Sequence, residues 1–380
     1  MKSNYKRLGD YIHKVDERNK DYNTNLQGLS MTKEYRSSTS NIVGTDLSSY
    51  KVMRKNRFVC DFMSVIRVYK LPVVLHKSDE IAIVSPAYTT FEVNDISILL
   101  PEYLMLWFRR SEFDRYAFFK CDSAIRGGFD WEALCDCLLP IPEIDEQRRI
   151  VNAYNTIERR IELKRKINKN LEEQAQTLFF ELFAKNSQYE KWDSSSIEDL
   201  VDVIDNRGKT PQFSKQKTLF PLIEISAIHS FGRVIDYNNV EKFVSQTTYN
   251  NWFRSGHPTN YDTLMSTVGS LAELKLFIGQ IGCIAQNLIA FHCKEEILSL
   301  YLYQYLVWKR MDLLSYEIGS VQASIKVSQV IKYIIKVPPM ELLNQFNKIA
   351  NPLTMSIFNN TMETLKLLDL QSIILSTMSC

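Results

Sequence analysis

The sequence predicts an α/β (α+β) protein made of two similar halves, each of which ends in a strand and a long helix. The first observation is a repeat: Ser123–Pro142 aligns without a gap with Gly319–Pro338, so that apolar positions and the final proline coincide. The second is that apolar residues follow each repeated segment in steps of four and three, the period of a coiled-coil helix. The third is the length of 380 residues, which fits two or three domains.

The repeat extends upstream in both halves. The apolar stretch Tyr103–Phe108 parallels Tyr301–Leu306, and Leu8–Ile12 near the start parallels Leu200–Ile204. The separation between the paired segments is nearly constant, which is hard to obtain by chance. Few residues are identical, so the halves share their architecture more clearly than their detail.

The first long helix is predicted over Glu143–Lys185, because no Gly or Pro occurs between Pro142 and Gly208. At about 1.5 Å per residue it would span about 65 Å, close to two DNA turns of about 34 Å each. A rod of this length could therefore act as a ruler along a duplex. The residues reached by steps of four and three form a stripe along this helix, which we call its seam; the stripe is apolar apart from a polar break in the middle. The seam consists of Ile150, Tyr154, Ile157, Ile161, Lys164, Asn168, Leu171, Ala175, Leu178 and Leu182.

A second seam follows the second repeated segment. Each stripe alone would leave an apolar face in water, so we expect the two helices to pack on each other. The alternative is that each helix packs on its own domain. Pro352 should either kink the second helix or mark its first turn. The second seam, again with a polar middle, consists of Phe346, Ala350, Leu353, Ile357, Asn360, Thr364, Leu367, Gln371, Ile374 and Met378.

The composition indicates a globular protein with 45% hydrophobic and 24% charged residues. The net charge of +2 neither supports nor excludes nucleic-acid binding, because a local basic face is sufficient. Seven cysteines without a CxxC pair favour free thiols in a reducing compartment, and Cys135 and Cys137 alternate like residues of a strand. The N-terminus lacks the apolar segment of a signal peptide, and no apolar run is long enough to cross a membrane. We therefore expect a cytoplasmic protein.

Motifs for catalysis are incomplete. An amino-methyltransferase needs a glycine-rich cofactor turn and an Asn/Asp-Pro-Pro-aromatic loop, and neither is present. Gly208-Lys209-Thr210 resembles the end of a phosphate loop but lacks its earlier glycine. Asp262, Glu273 and Lys275 have the rough order of a nuclease site, a pattern that is common by chance. The histidines lack metal-ligand spacing. We therefore expect no catalytic residue, no metal and no cofactor.

The segment Trp131–Phe183 closely resembles the central conserved region of the specificity subunits of type I restriction–modification systems. The features that carry this resemblance are Pro140-Ile141-Pro142, Glu146-Gln147-Arg148 and Leu171–Gln176; in the second half they are Asn206–Pro211, Ser266–Ser270 and Gly319–Ser324. The resemblance covers nearly the whole chain. The C-terminal helix departs from the pattern, because Leu343–Phe346 stands where the first helix has Glu146-Gln147.

This resemblance implies two target-recognition domains of mixed α/β structure, residues 1–142 and 188–338. The central helix, 143–187, and the C-terminal helix, 339–380, would form an antiparallel coiled coil that acts as a spacer. Each domain would read one part of a split, asymmetric site in double-stranded DNA. Two modification subunits would dock on the helices and methylate adenine, and ATP-dependent restriction subunits would translocate and cleave DNA. Two alternatives stay open: a self-contained methyltransferase or nuclease fused to recognition domains, and a coiled-coil adaptor.

Candidate DNA contacts are basic and polar residues of the matched loops, because Lys and Arg suit phosphates while Arg, Gln and Ser suit base edges. They are Arg18, Lys20, Arg126, Arg207, Lys209, Thr210, Gln322 and Ser324. The alternatives are a structural turn for the loops of Arg126 and Gln322 and ordinary surface solvation for the others. Glu146, Gln147 and Arg148 are the candidate partner-binding residues.

Overall fold

The computed structural model describes residues 5–37, 44–122, 128–208, 210–279, 281–319 and 323–379. The chain divides into two compact units. Unit 1 comprises Met1–Arg160 and Leu367–Cys380, and unit 2 comprises Ile161–Lys366. Both unit boundaries therefore fall inside the two long helices. The domain boundaries expected from the sequence stay predictions.

Unit 1 is built around a four-stranded antiparallel sheet. The strands of unit 1 are β1 (Tyr5–Arg7), β2 (Ile12–Val15), β3 (Gln27–Leu29), β4 (Tyr35–Ser37), β5 (Lys51–Met53), β6 (Phe58–Cys60), β7 (Val73–Leu75), β8 (Ala82–Val84), β9 (Thr89–Val93) and β10 (Leu138–Pro140). Its helices are α1 (Val65–Val68), α2 (Pro101–Phe108), α3 (Ser111–Asp122) and α4 (Trp131–Cys135), followed by the start of α5 (Ile144–Phe179). The sheet order is β2-β9-β6-β7, and β1–β10, β3–β4 and β5–β8 form smaller pairs.

Unit 2 repeats this plan. Its strands are β11 (Asp193–Ser196), β12 (Val201–Ile204), β13 (Leu222–Ile223), β14 (Thr263–Ser266), β15 (Leu274–Leu276), β16 (Cys283–Ile284), β17 (Leu288–Cys293), β18 (Glu317–Ile318), β19 (Ser324–Ile325) and β20 (Ile334–Val337). Its helices are α6 (Ile197–Leu200), α7 (Ile225–Ile228), α8 (Gln246–Trp252), α9 (Ser299–Trp308), α10 (Arg310–Leu314) and α11 (Val327–Val330), followed by α12 (Met340–Thr377). The sheet order is β12-β17-β14-β15.

The internal repeat is visible in matching contacts as well as in topology. In each unit an early strand pairs antiparallel with the last one, β1 with β10 and β11 with β20. The Tyr103 hydroxyl of α2 donates to the Pro140 carbonyl at 3.1 Å, and the Tyr301 hydroxyl of α9 donates to the Lys336 carbonyl at 2.6 Å. Pro140 and Lys336 coincide in the sequence alignment, so the alignment predicted true structural equivalence.

The cores lie between each sheet and its helices. In unit 1, Phe58 and Phe91 stack with ring centroids 4.8 Å apart, and Phe108 packs edge-on against both. In unit 2, Phe179 at the end of α5 and Phe183 in the π-helical turn that follows (Phe180–Ala184) pack in the same cluster as Phe346 of α12. Burial of such large rings supplies much of the driving force for folding.

The two long helices follow the predicted seams. All ten positions of each seam are buried or half-buried. Within unit 2, the Asn360 amide donates to Asn168 Oδ1 at 2.9 Å, and Lys164 Nζ lies 2.7 Å from Asn360 Oδ1. Within unit 1, Tyr154 near the start of α5 shares a core with Met378 near the end of α12. The helices are therefore antiparallel, and the predicted fold class is confirmed.

Two local predictions needed adjustment. Pro352 lies inside α12 and not in its first turn. The strand pattern at Cys135 is wrong, because Cys135 ends helix α4, whose N-terminus is capped by Asp130 accepting from the Ala133 amide at 2.8 Å. Cys135 and Cys137 are nevertheless both buried free thiols. No helix in the described part of the chain is long and apolar enough to span a membrane.

Candidate nucleic-acid interface

The first candidate surface in unit 2 is the loop that follows β12, residues 205–208. Arg207 is half-buried and binds both carboxylate oxygens of Asp205, its Nε at 2.8 and 3.0 Å and its Nη2 at 2.6 Å. Thr210 is exposed beyond this loop. Lys209 lies outside the described residues.

A buried asparagine ties this loop to a second one. Asn206 is 4% exposed; its amide donates to the Gly256 carbonyl at 2.9 Å, and its carbonyl accepts from the Ser255 amide at 3.0 Å. The Arg254 Nη2 donates to the Arg207 carbonyl at 2.7 Å. The structure therefore brings a second arginine to the site, one that the sequence analysis did not select.

Unit 1 has a similar arrangement after β2, in residues 16–20, with a single contact between the arginine and the aspartate. The Arg18 Nη2 lies 2.8 Å from Asp16 Oδ2, and its Nη1 donates to the Ser49 carbonyl at 2.6 Å. Asn19 is fully buried, and its amide donates to the Asn23 and Leu47 carbonyls at 2.9 and 3.2 Å. Lys20 is exposed. We call residues 16–20 and 205–208 the strand-end loops.

Both loop aspartates are held in the charged form. The hydrogen bond from Arg18, assisted by the charge of Lys51, lowers the pKa of Asp16 below its ordinary value. Burial acts to raise the pKa of Asp205, but the hydrogen bonds and charge of Arg207 outweigh it and the pKa is lowered. At neutral pH each arginine therefore faces an ionised partner.

The two other matched motifs of the second half lie against each other. The Ile325 amide donates to the Thr267 carbonyl at 2.8 Å, and Val268 forms a β-bridge with Ser324. Ser324 is half-buried at this junction. Gly269 has a φ of +86°, and a Cβ there would lie 3.1 Å from Ile225, so glycine suits the turn. Arg126 and Gln322 lie outside the described residues.

The candidate partner-binding residues lie on the first turns of α5. Gln147 is fully buried: its carbonyl accepts from the Leu100 amide at 2.9 Å, and its amide donates to the Ile98 and Pro142 carbonyls at 2.8 Å. Glu146 pairs with Arg149 at 3.0 Å, and Arg148 pairs with Asp145 at 2.9 Å on the surface. Gln147 therefore fixes the start of the helix, while Glu146 and Arg148 remain accessible.

A buried ion pair in unit 2 escaped the sequence analysis. Arg233 is 1% exposed and contacts both carboxylate oxygens of Glu172 on α5 at distances between 2.8 and 3.1 Å. Its Nη1 donates to the Thr354 hydroxyl of α12 at 2.7 Å, and its guanidinium lies over the Tyr303 ring of α9. This cluster, which we call the helix anchor, joins the segment between α7 and α8 to both long helices.

Lys275 lies beside the helix anchor and is also buried. Its Nζ donates to the Ser230 and Gly232 carbonyls. Burial lowers the pKa of Lys275 to about 8, although the nearby charge of Glu172 acts in the opposite direction. Only the position of Glu172, next to the seam residue Leu171, hints at this cluster in the sequence.

The residues with the order of a nuclease site bind other partners. Asp262 binds His292 at 2.7 Å and accepts from the Thr259 amide at 2.7 Å. Glu273 instead pairs with Arg310 at 2.8 Å. Within the described ranges, no group of three or more His, Cys, Asp or Glu side chains could hold a metal ion.

Comparison with known proteins finds one family model that matches part of the chain. Residues 189–363, which all lie within unit 2, match the family model described as type I restriction modification DNA specificity domain. No curated protein matches the chain in sequence.

Three solved structures are similar over almost the whole chain. The S subunit of a type I restriction–modification system from M. genitalium has a TM-score of 0.56 and 12% identity over 99% of this chain and 96% of that one. The HsdS subunit of Thermoanaerobacter tengcongensis has a TM-score of 0.39 and 17% identity over 100% and 97%. A structure described in terms of complex assembly and conformational transition of the type I R-M system has a TM-score of 0.46 and 17% identity, over 98% of this chain and 96% of that one. Residues 189–363 are thus similar to the type I restriction modification DNA specificity domain, and the fold of the chain is similar to that of the M. genitalium S subunit.

Proposed function

We propose that this chain is the DNA sequence-specificity subunit of a type I restriction–modification complex, and that each half reads one part of a split, asymmetric site. The observation that carries the proposal is the duplication of the strand-end loop. Each unit has its own four-stranded sheet, and a loop follows the first strand of each sheet. In both loops an arginine pairs with an aspartate, and a neighbouring asparagine is buried. The second of these loops lies inside the segment that matches the specificity-domain family.

In this proposal the strand-end loops supply DNA contacts, through Arg18 and Lys20 in unit 1 and through Arg207 in unit 2, and Lys209 and Thr210 add contacts directly after the second loop. Arg126, Gln322 and Ser324 supply further contacts from the loops before the last strand of each half. Arginine and lysine position the protein on phosphates, whereas Arg, Gln and Ser can read base edges. Different loops in the two halves would explain why the two parts of the site differ.

The long helices would serve as the spacer and as the docking site for two modification subunits, with Glu146 and Arg148 at the accessible start of α5. Restriction subunits would join the same assembly. Methylation and cleavage would belong to these partners, so the chain itself would need no cofactor and carry no catalytic residue.

The test is an exchange of halves followed by methylome sequencing of cells that express the chain with its modification subunits. Replacing residues 1–142 by the corresponding segment of another S subunit should change one part of the methylated sequence and leave the other part intact. Replacing residues 188–338 is the matched control and should change only the other part. Changes in both parts after a single exchange would contradict modular reading.

The alternative, a self-contained methyltransferase or nuclease, predicts activity of the purified chain. We expect neither methyl transfer from S-adenosylmethionine nor cleavage with Mg²⁺ when the chain is assayed alone on duplex DNA. Either activity would favour the alternative over the subunit assignment.

A further inference from the structure

In each strand-end loop the arginine forms an ion pair with an aspartate of the same loop. The aspartate directly follows the strand, and the arginine comes two residues later, in Asp16–Arg18 at 2.8 Å and in Asp205–Arg207 at 2.6 Å. The residue between them differs, Glu17 in one loop and Asn206 in the other. The ion pair therefore recurs at equivalent positions although the rest of the loop changes.

The geometry of the pair matters for DNA contact. Arg207 presents its Nε and Nη2 to both oxygens of Asp205. This two-pronged arrangement is the one that arginine uses to grip a phosphate. One edge of a guanidinium cannot bind a carboxylate and a phosphate in this way at the same time.

We propose that Asp16 and Asp205 compete with DNA phosphates for Arg18 and Arg207, so that each loop contacts DNA by exchanging one anion for another. The inference rests on the proposed function, because it assumes that these loops contact DNA. Replacing the aspartate by a phosphate on the arginine yields less binding free energy than forming a new ion pair would. This reduction is the same for every DNA sequence. Stable binding then requires that the other contacts of the loop also fit, which lowers affinity for unrelated DNA.

A second cation near each aspartate makes the exchange feasible. Lys51 Nζ lies 3.7 Å from Asp16 Oδ1, and the charge of Arg254 acts on Asp205, which is only 25% exposed. A partly buried carboxylate that lost its only partner would be costly. Asn19 and Asn206, anchored to neighbouring backbone, keep each loop in place while the arginine moves.

The experiment measures binding of the full chain to a short duplex of unrelated sequence by fluorescence anisotropy, over about 50 to 200 mM salt. Asp205→Asn keeps the side-chain shape but releases Arg207. Affinity for unrelated DNA should rise roughly three- to tenfold across this salt range, because Arg207 no longer has to leave a carboxylate in order to reach a phosphate. Asp202→Asn is the matched control: it makes the same charge change on β12, and Asp202 is exposed with no ion pair among the described residues.

A double variant separates release of the arginine from a general charge effect. In an Arg207→Gln background, Asp205→Asn should have no larger effect than Asp202→Asn. Asp16→Asn repeats the test in unit 1, so the inference does not depend on the folding of one variant. It is overturned if the wild-type chain binds DNA and neither Asp205→Asn nor Asp16→Asn exceeds the Asp202→Asn control. Absence of DNA binding by the wild-type chain would instead overturn the proposed function.

Discussion

At the scale of single residues, the sequence predicts candidate DNA contacts from the residue type alone. Arg18, Arg207 and Thr210 stand out as basic or polar residues in matched loops. The sequence does not predict the helix anchor, because Glu172 and Arg233 are 61 positions apart and nothing local links them. Gln147 was named as a candidate partner-binding residue, but its bonds to Ile98 and Leu100 could not be predicted, because they depend on how the chain folds back.

The helix anchor leads to a prediction about stability. Glu172→Gln should lower the free energy of unfolding by about 3 kcal/mol, because it leaves the buried Arg233 guanidinium without its counter-charge. Urea denaturation of the full chain measures this loss. Glu173→Gln, an exposed neighbour on the same helix, should change stability by less than about 0.5 kcal/mol. Equal effects of the two substitutions would show that the pair contributes no net stability.

At the scale of elements, periodic patterns were predictable and short strands were not. The seams predicted both long helices, which span 36 and 38 residues. They could do so because the apolar residues that become buried recur at a regular spacing along the chain. Strands such as β13 and β16, two residues each, take their pairing from distant segments. The alternation at Cys135 was misleading because a capped helix turn and a strand meet there.

The polar middle of the helix seams carries a second stability prediction. Asn168 and Asn360 bind each other at 2.9 Å, and Asn168 also donates to the Thr361 hydroxyl at 3.2 Å. Such a polar layer fixes the register of paired helices. In a double-mutant cycle, Asn168→Ala and Asn360→Ala should show a coupling of about 1 kcal/mol in thermal or urea unfolding. Asn170→Ala, on the exposed face, should show no coupling with Asn360→Ala.

At the scale of the whole molecule, the duplication was readable from the sequence because it preserves apolar positions and prolines. The order of the two sheets, β2-β9-β6-β7 and β12-β17-β14-β15, shows that it also preserves topology. The bases to be read could not be predicted, since they depend on the shape of loops whose residues differ between the halves. In the proposed function, the same difference would allow one chain to read an asymmetric site.

The proposed spacer role of the helices makes the last prediction. Because Asn168 pairs with Asn360 and Thr361, and Lys164 pairs with Glu363, a seven-residue insertion between Arg165 and Lys166 must be matched by one between Thr361 and Met362 to keep the seams aligned. Each heptad adds about 10 Å of helix, so methylome sequencing should show a spacer longer by about 3 base pairs at 3.4 Å each. The single insertion in α5 is the control and should abolish methylation by misaligning the seams. An unchanged spacer in the paired variant would refute the role of the helices as a ruler.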